Sequence, residues 1–243
     1  MLSSVLLSEK AIELRYEKPK PALKEHGEVI GVDQGLKSLL STSRNDSLAR
    51  DQHGWTLLLI LLKMSRQKSG SVAFKASQAH LRNHINFIMK RLDLSGVKEV
   101  KLEEIVNIKF GVSVSRLLKH WSNPLIRDSL AKACEESGVR FTLVPNEYNS
   151  QRCNECGWTQ KANRKGKVFL CRKCQHLDDA DHNAGGNIAI RDELPDIPAG
   201  FRLCKHNRKG FYWNFGLLVT DSGEDLTVTP TTTKLKTLTY VNT

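Results

Sequence analysis

The sequence predicts an α/β fold, in which a mixed sheet is flanked by helices and a small metal-binding ribbon is inserted late in the chain. Three observations support this prediction. Segments with the two-residue period of strands alternate with segments of helical period, acidic residues lie at the ends of predicted strands, and two Cys-x-x-Cys pairs precede the tail. One main domain with a small satellite is therefore expected.

The first half of the chain predicts three strands and one long helix. Residues 10–16 alternate like a strand, which Pro19 ends. Residues 28–41 predict the two strands of a hairpin, with Asp33 at the end of the first strand. Apolar residues recur at helical spacing from Ser71 to Leu92, with Lys and Arg between them, and predict a basic amphipathic helix.

The second half predicts further strands and helices on both sides of the cysteine pairs. These are a strand over 97–105, a helix over 124–137, a short buried strand over 139–144, a helix over 183–194 and one more strand within 210–220. Glu103 lies on the first of these strands, and Asp181 lies just before the last helix. This order of elements is that of the ribonuclease H type of mixed sheet. It runs from a strand with Asp through a hairpin, a helix, a strand with Glu, a helix and a strand to an Asp before a helix.

Composition and charge limit the class of protein. The 243-residue chain is 40% apolar, which suffices for one sizeable core, and no apolar run reaches the length of a membrane span. The apolar run from Met1 to Leu7 is too short for a secretion signal and is followed by Glu9 and Lys10. These features predict a soluble cytoplasmic protein, and the net charge of +11 favours a polyanionic partner.

The cysteine pairs carry the strongest chemical signal. Cys153 and Cys156 form one pair, and Cys171 and Cys174 form the other. Four thiolates supply the tetrahedral shell that Zn²⁺ prefers, whereas disulfides are the alternative in an oxidising compartment. The lack of a recognisable secretion signal favours structural zinc. Cys134 has no partner at ligand spacing and is expected to be buried on a helix face.

Four motifs in combination resemble a known family. They are Gly31-Val32-Asp33-Gln34-Gly35, Leu102-Glu103-Glu104-Ile105, the segment YNSQRCNECG from Tyr148 to Gly157, and Asp179-Ala180-Asp181-His182-Asn183-Ala184. Together they are similar to the RuvC-type nuclease core and zinc ribbon of the TnpB (OrfB) transposon-associated proteins, a core shared with the type V CRISPR effector nucleases. The resemblance covers about residues 28–194 and implies a ribonuclease H-like (RuvC-type) mixed sheet.

The resemblance implies that Asp33, Glu103 and Asp181 are catalytic carboxylates. Carboxylate oxygens are the ligands that Mg²⁺ or Mn²⁺ prefers, and two such ions can drive phosphodiester hydrolysis. A metal-dependent DNA endonuclease is therefore expected, with magnesium or manganese in the acidic site and zinc in the ribbon.

Each acidic residue also has a simpler interpretation. Asp33 could be a turn residue, and Glu103 a solvated strand residue. Strand alternation places Glu103 opposite the apolar face, which favours it over Glu104. Asp181 could be only a helix N-cap, although Asp179 and Asn183 compete for that role.

Four basic residues lie between the cysteine pairs: Lys161, Arg164, Lys165 and Lys167. A hairpin tip would present them to nucleic-acid phosphates, and Trp158 would stack on a base. The alternatives are a solvated charged loop and a Trp158 that packs on the metal knuckle. DNA is the expected partner, together with a guide RNA as the resemblance implies.

The motifs also predict the domain organisation. Residues 1–27 would be a remnant of an N-terminal region, 28–147 and 178–194 the nuclease core, 148–177 the zinc ribbon, and 195–243 a tail that is either poorly ordered or an added strand. TnpB-like proteins carry a guide-binding region before the first acidic motif, and this chain is expected to lack most of it. RNA guiding would then need a module supplied in trans. A guide-free RuvC-type nuclease and a catalytically idle zinc-ribbon DNA-binding protein are the alternatives.

Overall fold

The computed structural model describes residues 2–9, 12–16, 19–105, 120–121, 123–197 and 209–223. Its strands are β1 (Leu2–Leu7), β2 (Ile12–Tyr16), β3 (Glu28–Gln34), β4 (Leu40–Thr42), β5 (Ser47–Leu48), β6 (Val97–Glu103), β7 (Arg140–Val144), β8 (Trp158–Thr159), β9 (Arg164–Lys165), β10 (Val168–Leu170), β11 (Leu177–Asp179), β12 (Phe211–Asn214) and β13 (Leu217–Thr220). Its α-helices are α1 (Leu57–Ser65), α2 (Val72–Arg91), α3 (Asn123–Glu136) and α4 (Ala180–Ala189). Short 3₁₀-helices cover Lys161–Asn163 and Arg191–Glu193.

Five strands form the main sheet, in the order β5-β4-β3-β6-β7. β3, β6 and β7 are parallel, whereas β4 and β5 continue from β3 as antiparallel neighbours. Val32 pairs with Leu102, and Glu103 pairs with Val144, so the carboxyl ends of the three parallel strands lie at one edge. The predicted mixed α/β sheet is therefore confirmed.

The two faces of the main sheet contact different helices. Ile30, Val32 and Leu102 belong to the main hydrophobic core, together with residues of α1, α2 and α3. Gly31 points to the opposite face, because side chains alternate along a strand. A Cβ at this position would lie 2.0 Å from the carbonyl oxygen of Gly185, so only glycine lets α4 pack this closely on β3.

Two helices, α1 and α2, precede β6 in the chain. The side chain of Ser71 accepts a hydrogen bond from the Phe74 N–H, and α2 ends at Arg91, as its periodicity predicts. The leucine-rich run before it forms the nine-residue α1, which was not predicted because a continuous apolar run does not distinguish a helix from a strand. None of the described helices is both long and apolar enough to cross a membrane.

Two predicted elements differ from the structure. The strand over 139–144 was expected to be buried, but β7 is the edge of the sheet, and Leu143 is 36% exposed. The last helix begins at Ala180 rather than Asn183, because the Asp179 side chain accepts hydrogen bonds from the N–H groups of Asp181 and His182. The helix start therefore includes Asp181.

Part of the predicted tail belongs to the ribbon. β12 and β13 form a hairpin, and β12 pairs with β8. Phe211 and Trp213 are fully buried, so the hairpin supplies much of the small core in this region. The added-strand alternative is correct for residues 211–220, whereas residues 198–208 and 224–243 of the tail lie outside the described residues.

Candidate active site

Four cysteines meet at one point of the ribbon. Cys153 Sγ lies 3.7 Å from Cys174 Sγ, Cys156 Sγ lies 3.6 Å from Cys171 Sγ, and all four sulfur atoms lie within 4.8 Å of one another. Zn–S bonds of about 2.3 Å in a tetrahedron place sulfur atoms about 3.8 Å apart, close to these distances. The cluster can therefore bind a metal such as zinc. Cys134 is buried apart from it, on α3, as predicted.

The two cysteine turns have the same backbone conformation. The residue after each pair has a positive φ, +76° at Gly157 and +62° at Gln175. The Gly157 N–H donates to Cys153 O at 2.9 Å, and the Gln175 N–H donates to Cys171 O at 3.2 Å. Each tight turn thereby brings the two thiols of its pair together.

The thiols of Cys153 and Cys156 hold their protons more tightly than a solvent-exposed cysteine does. Burial raises the pKa of Cys156 to about 11, and it raises the pKa of Cys153 as well. Because metals bind the thiolate form, metal binding to this cluster must release protons.

Asp33 and Glu103 lie side by side at the carboxyl edge of the main sheet. They follow the paired residues Val32 and Leu102 on adjacent parallel strands. Burial raises the pKa of Asp33 to about 6. Burial, and then the negative charge of Asp33, raise the pKa of Glu103 to about 7, whereas Glu104 is exposed. Two like charges thus share a poorly hydrated position, which a bound cation would stabilise.

Asp181 lies in the first turn of α4 and is 7% exposed. Its Oδ1 accepts a 2.9 Å hydrogen bond from Arg164 Nη2, and its Oδ2 pairs with Lys167 Nζ. Asp179 caps the helix, so the N-cap interpretation of Asp181 is wrong. The carboxylate of Asp181 is directed to cations instead.

The structure brings the three acidic residues to one face of the sheet but not to one point. Among the described residues, the four cysteines are the one group of three or more His, Cys, Asp or Glu residues whose ligand atoms all lie within 4.8 Å of one another. The Arg164 charge acts on all three carboxylates, because it lowers the pKa of Asp33 and Glu103 and pairs with Asp181. This guanidinium therefore compensates part of the negative charge of the three carboxylates.

The basic residues of the ribbon have two kinds of surroundings. Arg164 and Lys167 pair with Asp181, whereas Lys161 and Lys165 are exposed and form no ion pair within the described part of the chain. The loop is therefore not merely solvated, because half of its cations face the acidic site.

Trp158 is a core residue of the ribbon. It is 3% exposed and packs with Phe169 and Cys171. Its ring makes an edge contact with Tyr212, and Lys173 Nζ lies 4.8 Å from the ring centroid. Base stacking needs an exposed ring face, so the structure supports the packing alternative and corrects the stacking prediction.

A set of polar residues is buried beside the site, and the sequence patterns did not predict this burial. They are Asn149, Arg152, Asn183 and Asn187, each at most 2% exposed. Asn149 Nδ2 donates to Glu103 Oε1 at 3.1 Å. A signal was present, since all but Asn187 lie within the motifs that carry the family resemblance.

A family model and several known proteins match this chain. The family model described as Cas12f1-like, TNB domain matches residues 125–188, which include the four cysteines and Asp181. The CRISPR-associated endodeoxyribonuclease Cas12f1 of Sulfoacidibacillus thermotolerans is 29% identical over 63% of this chain and 35% of its own length. The putative RNA-guided DNA endonuclease InsQ of Escherichia coli is 31% identical over 47% of this chain and 30% of its own. A TnpB-like protein of Aquifex aeolicus is 28% identical over 29% of this chain and 24% of its own. The chain is a TnpB-like relative of the type V CRISPR effectors.

This TnpB-like chain corresponds to a portion of its relatives. It spans between 24% and 35% of the length of the three curated proteins. The cryo-EM structure of a Cas12f1–sgRNA–target DNA complex aligns with 70% of this chain and 40% of that chain, at 18% identity and a TM-score of 0.49. The activities of whole relatives therefore do not transfer to this chain by similarity alone.

Proposed function

We propose that this TnpB-like chain provides the nuclease part of an RNA-guided DNA endonuclease. In this proposal Asp33, Glu103 and Asp181 hold Mg²⁺ or Mn²⁺, and the chain hydrolyses DNA phosphodiester bonds. The observation that carries it is the position of Asp33 and Glu103, side by side on neighbouring parallel strands, with α4 and Asp181 on the same face. A guide-free nuclease and an idle DNA-binding protein are the competing functions.

The strand order supports a ribonuclease H-like, RuvC-type fold for the nuclease core. The antiparallel strands β4 and β5 lie on one side of β3, and the parallel strands β6 and β7 lie on the other. The central strand therefore carries Asp33, and its parallel neighbour carries Glu103. Acidic ligands on adjacent central strands are what this fold requires of a nuclease.

The donor atoms fit two different kinds of metal. The acidic site offers only carboxylate oxygens, which suit Mg²⁺ and Mn²⁺, whereas the ribbon offers only sulfur, which suits Zn²⁺. The pKa is about 6 for Asp33 and about 7 for Glu103, because both carboxylates are buried and nearby positive charge only partly stabilises their charged forms. Divalent ions held by such carboxylates activate a water molecule and stabilise the departing oxygen during hydrolysis.

Arg164 and Lys167 exchange partners in the proposed mechanism. Both cations pair with the carboxylate of Asp181 in this structure. If Asp181 held a metal ion, the two cations would be available to bind the phosphates of the substrate strand, next to the acidic site. Lys161 and Lys165, which are already exposed, extend the same phosphate contact along the loop.

The ribbon acts as a structural zinc domain in this proposal. Four sulfur ligands leave no open coordination position, so the ion does not bind substrate. The domain division extends the predicted ribbon of 148–177 by the hairpin at 211–220, because β12 pairs with β8. The zinc thereby fixes the loop that carries Arg164 and Lys167.

The helical segment over α1 and α2 supports a nucleic-acid partner. Between Asp51 and Asp93 the chain contains seven Lys or Arg residues and no Asp or Glu. All seven are exposed: Lys63, Arg66, Lys68, Lys75, Arg82, Lys90 and Arg91. On α2, Lys75, Arg82 and Lys90 follow one another along a single helical stripe. A segment that carries seven cations and no carboxylate of its own favours a polyphosphate backbone as partner.

The test is cleavage of labelled single- and double-stranded DNA by zinc-loaded protein in Mg²⁺ and in Mn²⁺. Protein stripped of nucleic acid is compared with protein that is given back its co-purified RNA. Asp181→Asn should abolish cleavage, and Asp128→Asn, which changes an exposed aspartate of α3, should leave it unchanged.

The outcomes separate the three functions. Cleavage that needs RNA and is lost in Asp181→Asn supports the proposal. Cleavage by RNA-free protein favours the guide-free nuclease. Binding of DNA without cleavage, by folded and zinc-loaded protein with its RNA, contradicts the nuclease proposal and favours the idle binding protein.

A further inference from the structure

A continuous network of buried polar side chains joins the ribbon to Glu103. Asn149, Arg152, Asn183 and Asn187 are at most 2% exposed. They connect the turn before Cys153, the helix α4 and the hairpin β12–β13. Hydrogen bonds between buried groups are costly to break because water cannot replace them, so such a network holds its bonded atoms in one geometry.

At one end of the network, Asn149 holds the carboxylate of Glu103. The two hydrogens of its amide point to Glu103 Oε1, at 3.1 Å, and to Pro145 O, at 2.9 Å. Since both partners are acceptors, a flipped amide would oppose oxygen to oxygen, and only one orientation fits. Among the described residues no hydrogen bond reaches the other carboxylate oxygen, Oε2, which remains available to a metal ion.

In the middle of the network, Asn187 of α4 holds the turn that carries Asn149. Asn187 Nδ2 donates to Asn149 O at 2.9 Å and to Arg152 O at 2.7 Å. Its Oδ1 accepts a 2.6 Å hydrogen bond from Arg152 Nη1. The N–H groups of Gln151 and Arg152 both donate to Tyr148 O, which closes the turn. Every polar atom of the Asn187 amide is thus used on this turn.

At the other end, the network holds the chain on both sides of the first ribbon cysteine. Asn183 Nδ2 donates to Arg152 O at 2.7 Å, and Asn183 Oδ1 accepts from the Asn154 N–H at 3.0 Å. The Arg152 guanidinium also donates to Trp213 O at 2.6 Å and to Asn214 Oδ1 at 2.8 Å. Cys153 lies between these contacts. The same hydrogen bonds therefore fix the positions of both Cys153 and Asn149.

We propose that Asn149 is a positioning residue for Glu103, and that the metal-loaded ribbon holds Asn149 in place through Arg152 and Asn187. The inference rests on the proposed nuclease function, because it concerns how Glu103 is oriented to bind its metal ion. Loss of the Asn149 amide leaves Glu103 free to rotate, and loss of the ribbon metal loosens the turn that carries Asn149. The ribbon thereby supports the acidic site without touching substrate there.

The test measures Mn²⁺ binding by electron paramagnetic resonance in zinc-loaded protein free of nucleic acid. Asn149→Ala should weaken Mn²⁺ binding by about 10-fold, the usual effect of removing a hydrogen bond to a metal ligand. The matched control is Thr142→Val, because Thr142 Oγ1 donates to Glu99, another glutamate on β6 that lies away from the acidic site. The control should change Mn²⁺ affinity by less than about twofold.

The second measurement removes zinc from the wild-type protein and from Asn149→Ala. Zinc removal should weaken Mn²⁺ binding more in the wild type than in the variant, because the variant has already lost the last link of the network. Asn149→Ser keeps one hydrogen-bond donor, so its affinity for Mn²⁺ should lie between those of the wild type and Asn149→Ala. This variant tests the inference if the alanine variant does not fold.

The outcomes distinguish this inference from the proposed function. Equal affinities in Asn149→Ala and Thr142→Val, or an equal effect of zinc removal in both proteins, overturn the inference alone. Wild-type protein that shows no Mn²⁺ site sensitive to Asp181→Asn overturns the proposed function itself.

Discussion

Arg164 of the ribbon donates a 2.9 Å hydrogen bond to the carboxylate of Asp181, 17 positions later in the sequence. The bond crosses from the loop between the cysteine pairs to the first turn of α4. It joins a residue proposed to bind phosphate to a residue proposed to bind metal. Under the proposed function, metal ions, DNA and the ribbon would therefore compete for the same charges.

Lys167→Ala should raise the affinity of DNA-free, zinc-loaded protein for Mn²⁺ by about two- to fivefold, since half-exposed ion pairs are worth at most about 1 kcal/mol. Lys167 pairs with Asp181 and is 45% exposed, so its removal frees one oxygen of that carboxylate. Titration of Mn²⁺ by electron paramagnetic resonance measures the change. Lys161→Ala, which removes an exposed ribbon cation, is the control. An equal gain in both variants would assign the effect to net charge rather than to this pair.

Cys171→Ser should abolish stoichiometric zinc binding and unfold the ribbon, because a structural metal contributes directly to folding. Cys134→Ala removes an equally buried thiol outside the cluster. It should keep full zinc content and lower the free energy of unfolding by about 1–2 kcal/mol. Zinc content and thermal unfolding measure the two effects. Retention of zinc and of the folded ribbon by Cys171→Ser would contradict the zinc site.

Asp33→Asn should stabilise the protein at neutral pH in buffers without Mg²⁺ or Mn²⁺. Folding raises the pKa of Asp33 from 3.8 to about 6, so the folded state binds the proton more tightly between these values. The stability of the wild type therefore falls as pH rises through this window, and the asparagine variant avoids that loss.

Urea unfolding at a series of pH values measures the difference. The advantage of Asp33→Asn should be near zero at about pH 4 and reach about 1–3 kcal/mol at pH 7. Asp128→Asn, at an exposed position, should stay within about 0.5 kcal/mol of the wild type throughout. A difference that does not vary with pH would refute the burial argument.

Gly157→Ala should weaken both zinc retention and the stability of the ribbon. Gly157 has a φ of +76°, and a Cβ there would lie 1.8 Å from Asn214 Oδ1. Gly166 also has a positive φ, +65°, but a Cβ there meets open space. Gly157→Ala should therefore cost about 1–2 kcal/mol more than Gly166→Ala. Equal losses in thermal unfolding and zinc content would show that backbone strain alone is responsible.

Local patterns predicted the elements whose signals lie within a few residues of one another. The helical period from Ser71 to Leu92 gives α2, and the spacing of the cysteine pairs gives the four-thiol cluster. Prediction was wrong where a boundary depends on one side chain, as at Asp179, which starts α4 early. It also failed for β7, because a sequence does not indicate which strand forms the edge of a sheet.

The sequence by itself determined the mixed α/β character, the four-cysteine cluster, and the family to which the chain is related. Only the tertiary structure decided that Arg164 and Lys167 face Asp181, that Trp158 is buried in the core of the ribbon, and that Asn149 holds Glu103. The last contact joins residues 46 positions apart. Periodicity and spacing reflect geometry over a few neighbouring residues. Contacts such as this one form only when distant segments pack, because that packing decides which side chains are buried and which charges lie close together.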